Sequence, residues 1–138
     1  MTVVKICGIT NLEDALLSVR FGADMLGFNF YERSPRFIAP EIAAGIIREL
    51  PDSINKVGIF VNDTVDNIMK IADKAALNFV QLHGDENAGF VRSLAGLNII
   101  KAFRVDSNFS SDQIIGFDGS AKFFFERSAL HNCADSMK

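Results

Sequence analysis

Apolar positions along this chain fall into two rhythms that alternate from end to end. Short runs dense in β-branched and aromatic residues read as strands: VVKIC at 3–7, DMLGFNF at 24–30, NKVGIFV at 55–61, NFVQLH at 78–83, NIIKAFRV at 98–105 and AKFFFE at 121–126. Between them lie longer segments of helical period. NLEDALLSVRFG (11–22) opens on Asn11, a suitable N-cap, and stops at Gly22. PEIAAGIIREL (40–50) starts with Pro40 in the first turn. VDNIMKIADKAA (65–76) follows a cap at Asp63 or Thr64 and carries an apolar stripe of Val65, Ile68, Met69 and Ala72. ENAGFVRSLAG (86–96) is a fourth helix, and 110–116 holds a weaker one.

Six strands separated by helices require parallel pairing through βαβ crossovers, so the pattern predicts an α/β fold. An open doubly wound sheet and a (β/α)8 barrel both satisfy it. CGITN after the first strand carries neither the dinucleotide fingerprint nor a phosphate-loop pattern, which disfavours the open sheet. Cys7, Asn29, Asn62, His83, Arg104 and Glu126 recur at the C-terminal ends of successive strands, where a barrel places its chemistry. Gly8, Gly27, Gly58 and Gly84 fall in or just after strands, where close packing or a tight exit is needed.

Composition narrows the function classes. The chain has 138 residues, 49% hydrophobic and 22% charged, with net charge −3, which predicts one globular domain without the basic face of a nucleic-acid binder. No apolar run reaches the roughly 18 residues of a membrane span, and the first residues lack a signal-peptide pattern. Cys7 and Cys133 are expected as thiols in a cytoplasmic protein.

The motifs are more specific. KICGIT (5–10), GFNFYERSPRFI (27–38), VGIFVN (57–62), VQLHGDE (80–86) and KAFRV (101–105), in this order and spacing, resemble phosphoribosylanthranilate isomerase of tryptophan biosynthesis. The resemblance runs from residue 3 to about 126. It implies a (β/α)8 TIM-barrel type fold, incomplete here, with about six βα units in residues 1–126 and a divergent tail at 127–138 expected to be disordered. It implies an Amadori rearrangement of N-(5-phosphoribosyl)anthranilate to 1-(2-carboxyphenylamino)-1-deoxyribulose 5-phosphate, with no cofactor and no metal. A different phosphosugar barrel enzyme is disfavoured by KICG, SPRF and QLHG together.

The resemblance makes Cys7 the general base; read from composition alone, Cys7 is more simply a small buried hydrophobe. A thiol is a poor base until neighbours favour the thiolate, and Lys5, two residues earlier on a strand, shares its face. Arg36 matches a family arginine that meets the anthranilate carboxylate, a role suited to a planar guanidinium fork. His83 either lines the pocket or caps its strand end, with Gln81 placed to orient it. Arg104 is either substrate-facing or structural. Glu126 stands where the family has an aspartate acting as general acid, with one more methylene. No glycine follows Gly119, so the family's phosphate-binding loops have no counterpart in this sequence. His131, Cys133 and Asp135 alternate in the tail, but three donors on a terminus make no metal site. The alternative reading is a weak or inactive remnant that serves in binding, self-associating through open sheet edges.

Overall fold

The computed structural model describes residues 1–117 and 119–127 of the chain. Six strands form one sheet in the order β1 to β6, with every neighbouring pair parallel. They are β1 (Lys5–Cys7), β2 (Met25–Asn29), β3 (Asn55–Phe60), β4 (Phe79–Leu82), β5 (Ile99–Val105) and β6 (Lys122–Arg127). Helices α1 (Leu12–Arg20), α2 (Pro40–Arg48), α3 (Val65–Lys74) and α4 (Ala88–Ser93) fill the first four crossovers. The fifth holds a short 3-10 turn, Ser111–Gln113, where a weak helix over 110–116 was expected. The tail residues beyond Arg127, with His131, Cys133 and Asp135, lie outside the described residues.

Caps explain where the helices begin. Asn11 accepts a hydrogen bond from the Asp14 amide at 2.8 Å, and Thr64 rather than Asp63 caps α3, accepting from the Asn67 amide at 3.2 Å. Asp63 instead accepts from the Asn67 side chain at 2.8 Å. The stripe on α3 also differs in one place. Ile68, Ile71 and Ala72 are buried, whereas Met69 is 40% exposed. Ile71, three residues after Ile68 and two after Met69, takes the inward position expected of Met69.

Alternation along the strands sorts residues to two faces. Leu26, Phe28, Phe60, Val80, Leu82, Ile99 and Phe103 join Ala43, Ile46, Ile47, Ile68, Ile71, Val91 and Leu94 of the helices in one apolar cluster. Val57, Ile59, Ile100 and Ala102 are equally buried but stand outside that cluster, on the opposite face of the sheet. The register places Cys7 beside Gly27, Ile59 beside Gln81, and Arg104 beside Glu126 on that second face.

The sheet curls around this second face. Five inter-strand steps of roughly 4.8 Å would put β1 and β6 about 24 Å apart in a flat sheet. Instead the Lys5 ammonium of β1 sits 4.8 Å from the centre of the Phe124 ring on β6. The two ends of the sheet order therefore approach each other across a concave interior, as in a half-closed barrel. Among the described residues no helix is long and apolar enough to cross a membrane.

Candidate active site

The concave face opens at the C-terminal ends of the strands into a pocket of about 120 Å³. Lys5, Cys7, Arg36, Gln81, His83 and Glu126 all line it, drawn from β1, the loop after β2, β4 and β6. Of the seven site residues expected from sequence, only Arg104 lies elsewhere. It lines a second cavity of about 670 Å³ over the ends of β3 to β5, which His83 also borders.

Cys7 owes its space to the neighbouring strand. A Cβ on Gly27 would stand 3.1 Å from the Cys7 sulfur and 3.1 Å from Ile59 Cδ1, tighter than ordinary contact. Gly8 does the same for Arg36. Its φ is +84°, and a Cβ there would overlap Arg36 Cδ. The arginine side chain thus lies across the backbone of the residue that follows Cys7. Its own loop is pinned by Ser34, whose Oγ accepts from the Arg36 amide and from the Asn29 side chain, both at 3.2 Å. Asn29 Oδ1 in turn accepts from the Tyr31 amide at 2.9 Å, which fixes the exit of β2. Asn29 and Ser34 also line the pocket, so their contribution is to shape the arginine loop.

The remaining four polar residues are connected. The Lys5 ammonium donates to Gln81 Oε1. Gln81 Nε2 lies 3.4 Å from His83 Nδ1, and His83 Nε2 lies 2.9 Å from Glu126 Oε2. The side chains of His83 and Glu126 are only 12% and 18% exposed, so the contact is largely shielded from solvent. Sequence spacing placed Gln81 beside His83, but a partner 43 residues away on β6 is visible only in the fold. Phe124 was also missed. It faces inward two residues before Glu126 and receives the Lys5 ammonium on its ring. The Lys5 ammonium, which lines the same pocket as Cys7, is engaged by Gln81 and Phe124.

Asn62, another strand-end residue, has a structural task. Its Oδ1 accepts from the Asp85 amide at 2.8 Å, while its own amide donates to Glu86 Oε2 at 2.9 Å. Glu86 also accepts from the Gly84 amide at 2.8 Å and faces the Lys101 ammonium at 3.1 Å. This buried cluster ties the loops after β3 and β4 together beneath the larger cavity. Among the described residues no group of three or more His, Cys, Asp or Glu side chains is arranged to hold a metal ion.

Comparison with known proteins bears on this geometry. The family model for N-(5'-phosphoribosyl)anthranilate isomerase matches residues 4–128. The isomerase of Citrifermentans bemidjiense is 55% identical over 105 residues, which is 76% of this chain and 50% of that relative. The crystal structure of phosphoribosyl anthranilate isomerase from Thermotoga maritima superposes with a TM-score of 0.90 at 40% identity, covering 96% of this chain and 65% of that one. A second structure of such an isomerase, in complex with reduced 1-(o-carboxyphenylamino)-1-deoxyribulose 5-phosphate, gives 0.87 at 42% identity, covering 93% and 66%. The chain spans about half the length of the curated relatives it matches first. With its motifs, its parallel six-stranded half-barrel and its match from residue 4 to 128, this chain belongs to the N-(5'-phosphoribosyl)anthranilate isomerase family.

Proposed function

We propose that this chain acts on N-(5-phosphoribosyl)anthranilate and catalyses its isomerisation to the corresponding aminoketose. The observation that carries the reading is the convergence of Cys7, Glu126 and Arg36, from opposite ends of the sheet order and an intervening loop, on one pocket.

The chemistry follows from those groups. Glu126, in its acid form, delivers a proton to the furanose ring oxygen as the C1′–O bond breaks and the anilino nitrogen donates its lone pair. The product of that step is an open-chain Schiff base cation. Cys7, as thiolate, removes the C2′ proton, and the electron pair flows to the cationic nitrogen to give an enolamine. Protonation at C1′ with loss of the enol proton yields the ketone. Atoms and charge balance without a redox partner, as an isomerisation requires. Acid and base must act on the two atoms that flank C1′ of one sugar, the ring oxygen and C2′, and two groups lining one pocket suit that requirement. Arg36 offers the anthranilate carboxylate a charge-assisted, bidentate contact that orients the ring beside them. Glutamate stands where the family resemblance leads one to expect aspartate, and its Oε2 lies 2.9 Å from His83 Nε2.

Turnover is tested by following the fluorescence of the substrate at high enzyme concentration. The expected result is its loss, with the aminoketose accumulating. A folded sample that leaves the substrate unchanged overturns the reading.

Association through the sheet edges has separate support. Ile6 on β1 and Phe123 and Phe125 on β6 are 39%, 38% and 48% exposed, and β1 and β6 are the two ends of the sheet order. Unpaired edge strands with apolar side chains favour pairing between chains. Light scattering on the purified chain, with a mass above that of one copy, is the expected result, and a monomer over a wide concentration range refutes it.

A further inference from the structure

We infer that Lys5 and Gln81 are positioning residues that set the tautomer of His83 and, through it, which oxygen of Glu126 carries the acid proton. The role given to Glu126 rests on the function proposed above; the hydrogen-bond argument itself does not.

The chain of bonds has a direction. Lysine has only hydrogens to give, so the Lys5 ammonium fixes the carbonyl oxygen of Gln81 toward itself. The amide nitrogen of Gln81 is then the atom that faces His83 Nδ1, at 3.4 Å. An amide nitrogen only donates, so Nδ1 is the acceptor and the ring hydrogen lies on Nε2. That hydrogen points at Glu126 Oε2, 2.9 Å away. Oε2 is thereby committed as an acceptor. A proton carried by Glu126 sits on the other oxygen, Oε1, the one left for substrate.

Three observations make this more than a local contact. Gln81 is 2% exposed, so water does not compete for its amide. Lys5 is held from a second side by the Phe124 ring, which keeps the start of the relay in place. The relay also crosses from β1 through β4 to β6, so it reads the curvature of the sheet as well as local sequence. Other charged or titratable groups surround the ring without belonging to the relay. Cys7 of β1 and Arg36 of the loop after β2 share its pocket, and Arg104 of β5 and Asp106 share its other cavity.

Nitrogen-15 spectra of the full chain test this directly. They are recorded at about pH 8, where an ordinary imidazole is neutral, with His131→Gln used to assign the His83 signals. The expected wild-type pattern is a bare Nδ1 and a hydrogen on Nε2. Gln81→Glu turns the middle of the relay into an acceptor on both sides, so a hydrogen is expected to appear on Nδ1. Gln81→Leu and Lys5→Met release the ring, and a mixture of tautomers is expected. A wild-type ring with its hydrogen on Nδ1, or Gln81→Leu and Lys5→Met spectra identical to wild type, overturns the inference. In turnover, Gln81→Leu is expected to lower kcat by about tenfold to a hundredfold with KM little changed, since only the acid is misplaced. If the wild type shows no turnover, the proposed function fails while the spectra still decide the relay.

Discussion

Gly8→Ala separates the positioning of Arg36 from the stability of the fold. Gly8 has φ +84°, and a Cβ there would overlap Arg36 Cδ. Two consequences follow. The left-handed backbone costs a residue with a side chain about 1–2 kcal/mol, which lowers the melting temperature of a domain this size by roughly 3–8 °C. The guanidinium must also leave its place over the strand end. A charge-assisted bond to a carboxylate contributes about 1.5–3 kcal/mol, so anthranilate affinity falls roughly tenfold to a hundredfold. Gly22 supplies the control. Its φ is +93°, yet nothing lies within 4 Å of a Cβ built on it. Gly22→Ala therefore shares the backbone penalty and displaces no neighbour. Titration with anthranilate, followed by its own fluorescence, is the assay, paired with thermal unfolding of both variants. Both are expected to melt lower, and only Gly8→Ala to bind more weakly. Unchanged binding in Gly8→Ala, or equal weakening in Gly22→Ala, refutes the reasoning.

Three further outcomes are expected. Glu86→Ala leaves the Lys101 ammonium buried without its carboxylate and strips acceptors from the Asn62 and Gly84 amides. A loss of about 3–5 kcal/mol in urea unfolding is expected, and the double variant with Lys101→Met should lose less than the sum of the two. Glu126→Gln keeps shape but cannot supply a proton, so turnover should fall at least about a hundredfold with little change in melting temperature, the magnitude typical of a lost general acid. Glu41, on α2, titrates below its ordinary value of 4.5, chiefly because the Lys74 side chain of α3 donates to it. Its folded form holds a proton less readily than the unfolded chain, so its contribution is present above that value and lost as pH falls below it. Glu41→Gln should flatten the decline in melting temperature between pH 5 and 3, and 1 M salt should shrink the difference.

How much of this was legible in the sequence depends on the range of the interaction. The six strands, the parallel order and the inward period of Lys5–Cys7, Gln81–His83 and Glu126 follow from residue spacing, because strand alternation is local. The cap at Asn11 was equally local. The boundary cases failed where tertiary packing decides. Met69 and Ile71 both suit a helix face, and only the neighbouring sheet selects Ile71. The weak helix expected over 110–116 shrinks to a 3-10 turn at Ser111–Gln113, whose flanking Phe109 and Phe117 pack on Phe103 of β5 and Phe123 or Phe125 of β6. Arg104, the last residue but one of β5, has the inward register beside Glu126 yet borders the larger cavity. The pairing of His83 with Glu126 joins the end of β4 to β6 across β5, a contact between distant segments that no single stretch of sequence encodes.

The central claim is that Cys7 takes the substrate proton in the pocket it shares with Glu126. The most direct measurement compares substrate turnover by the folded wild-type chain and by Cys7→Ala under the same conditions. The account predicts conversion by the wild type and none above background by the variant, with melting temperatures nearly equal. A Cys7→Ala chain that turns over at the wild-type rate would contradict it.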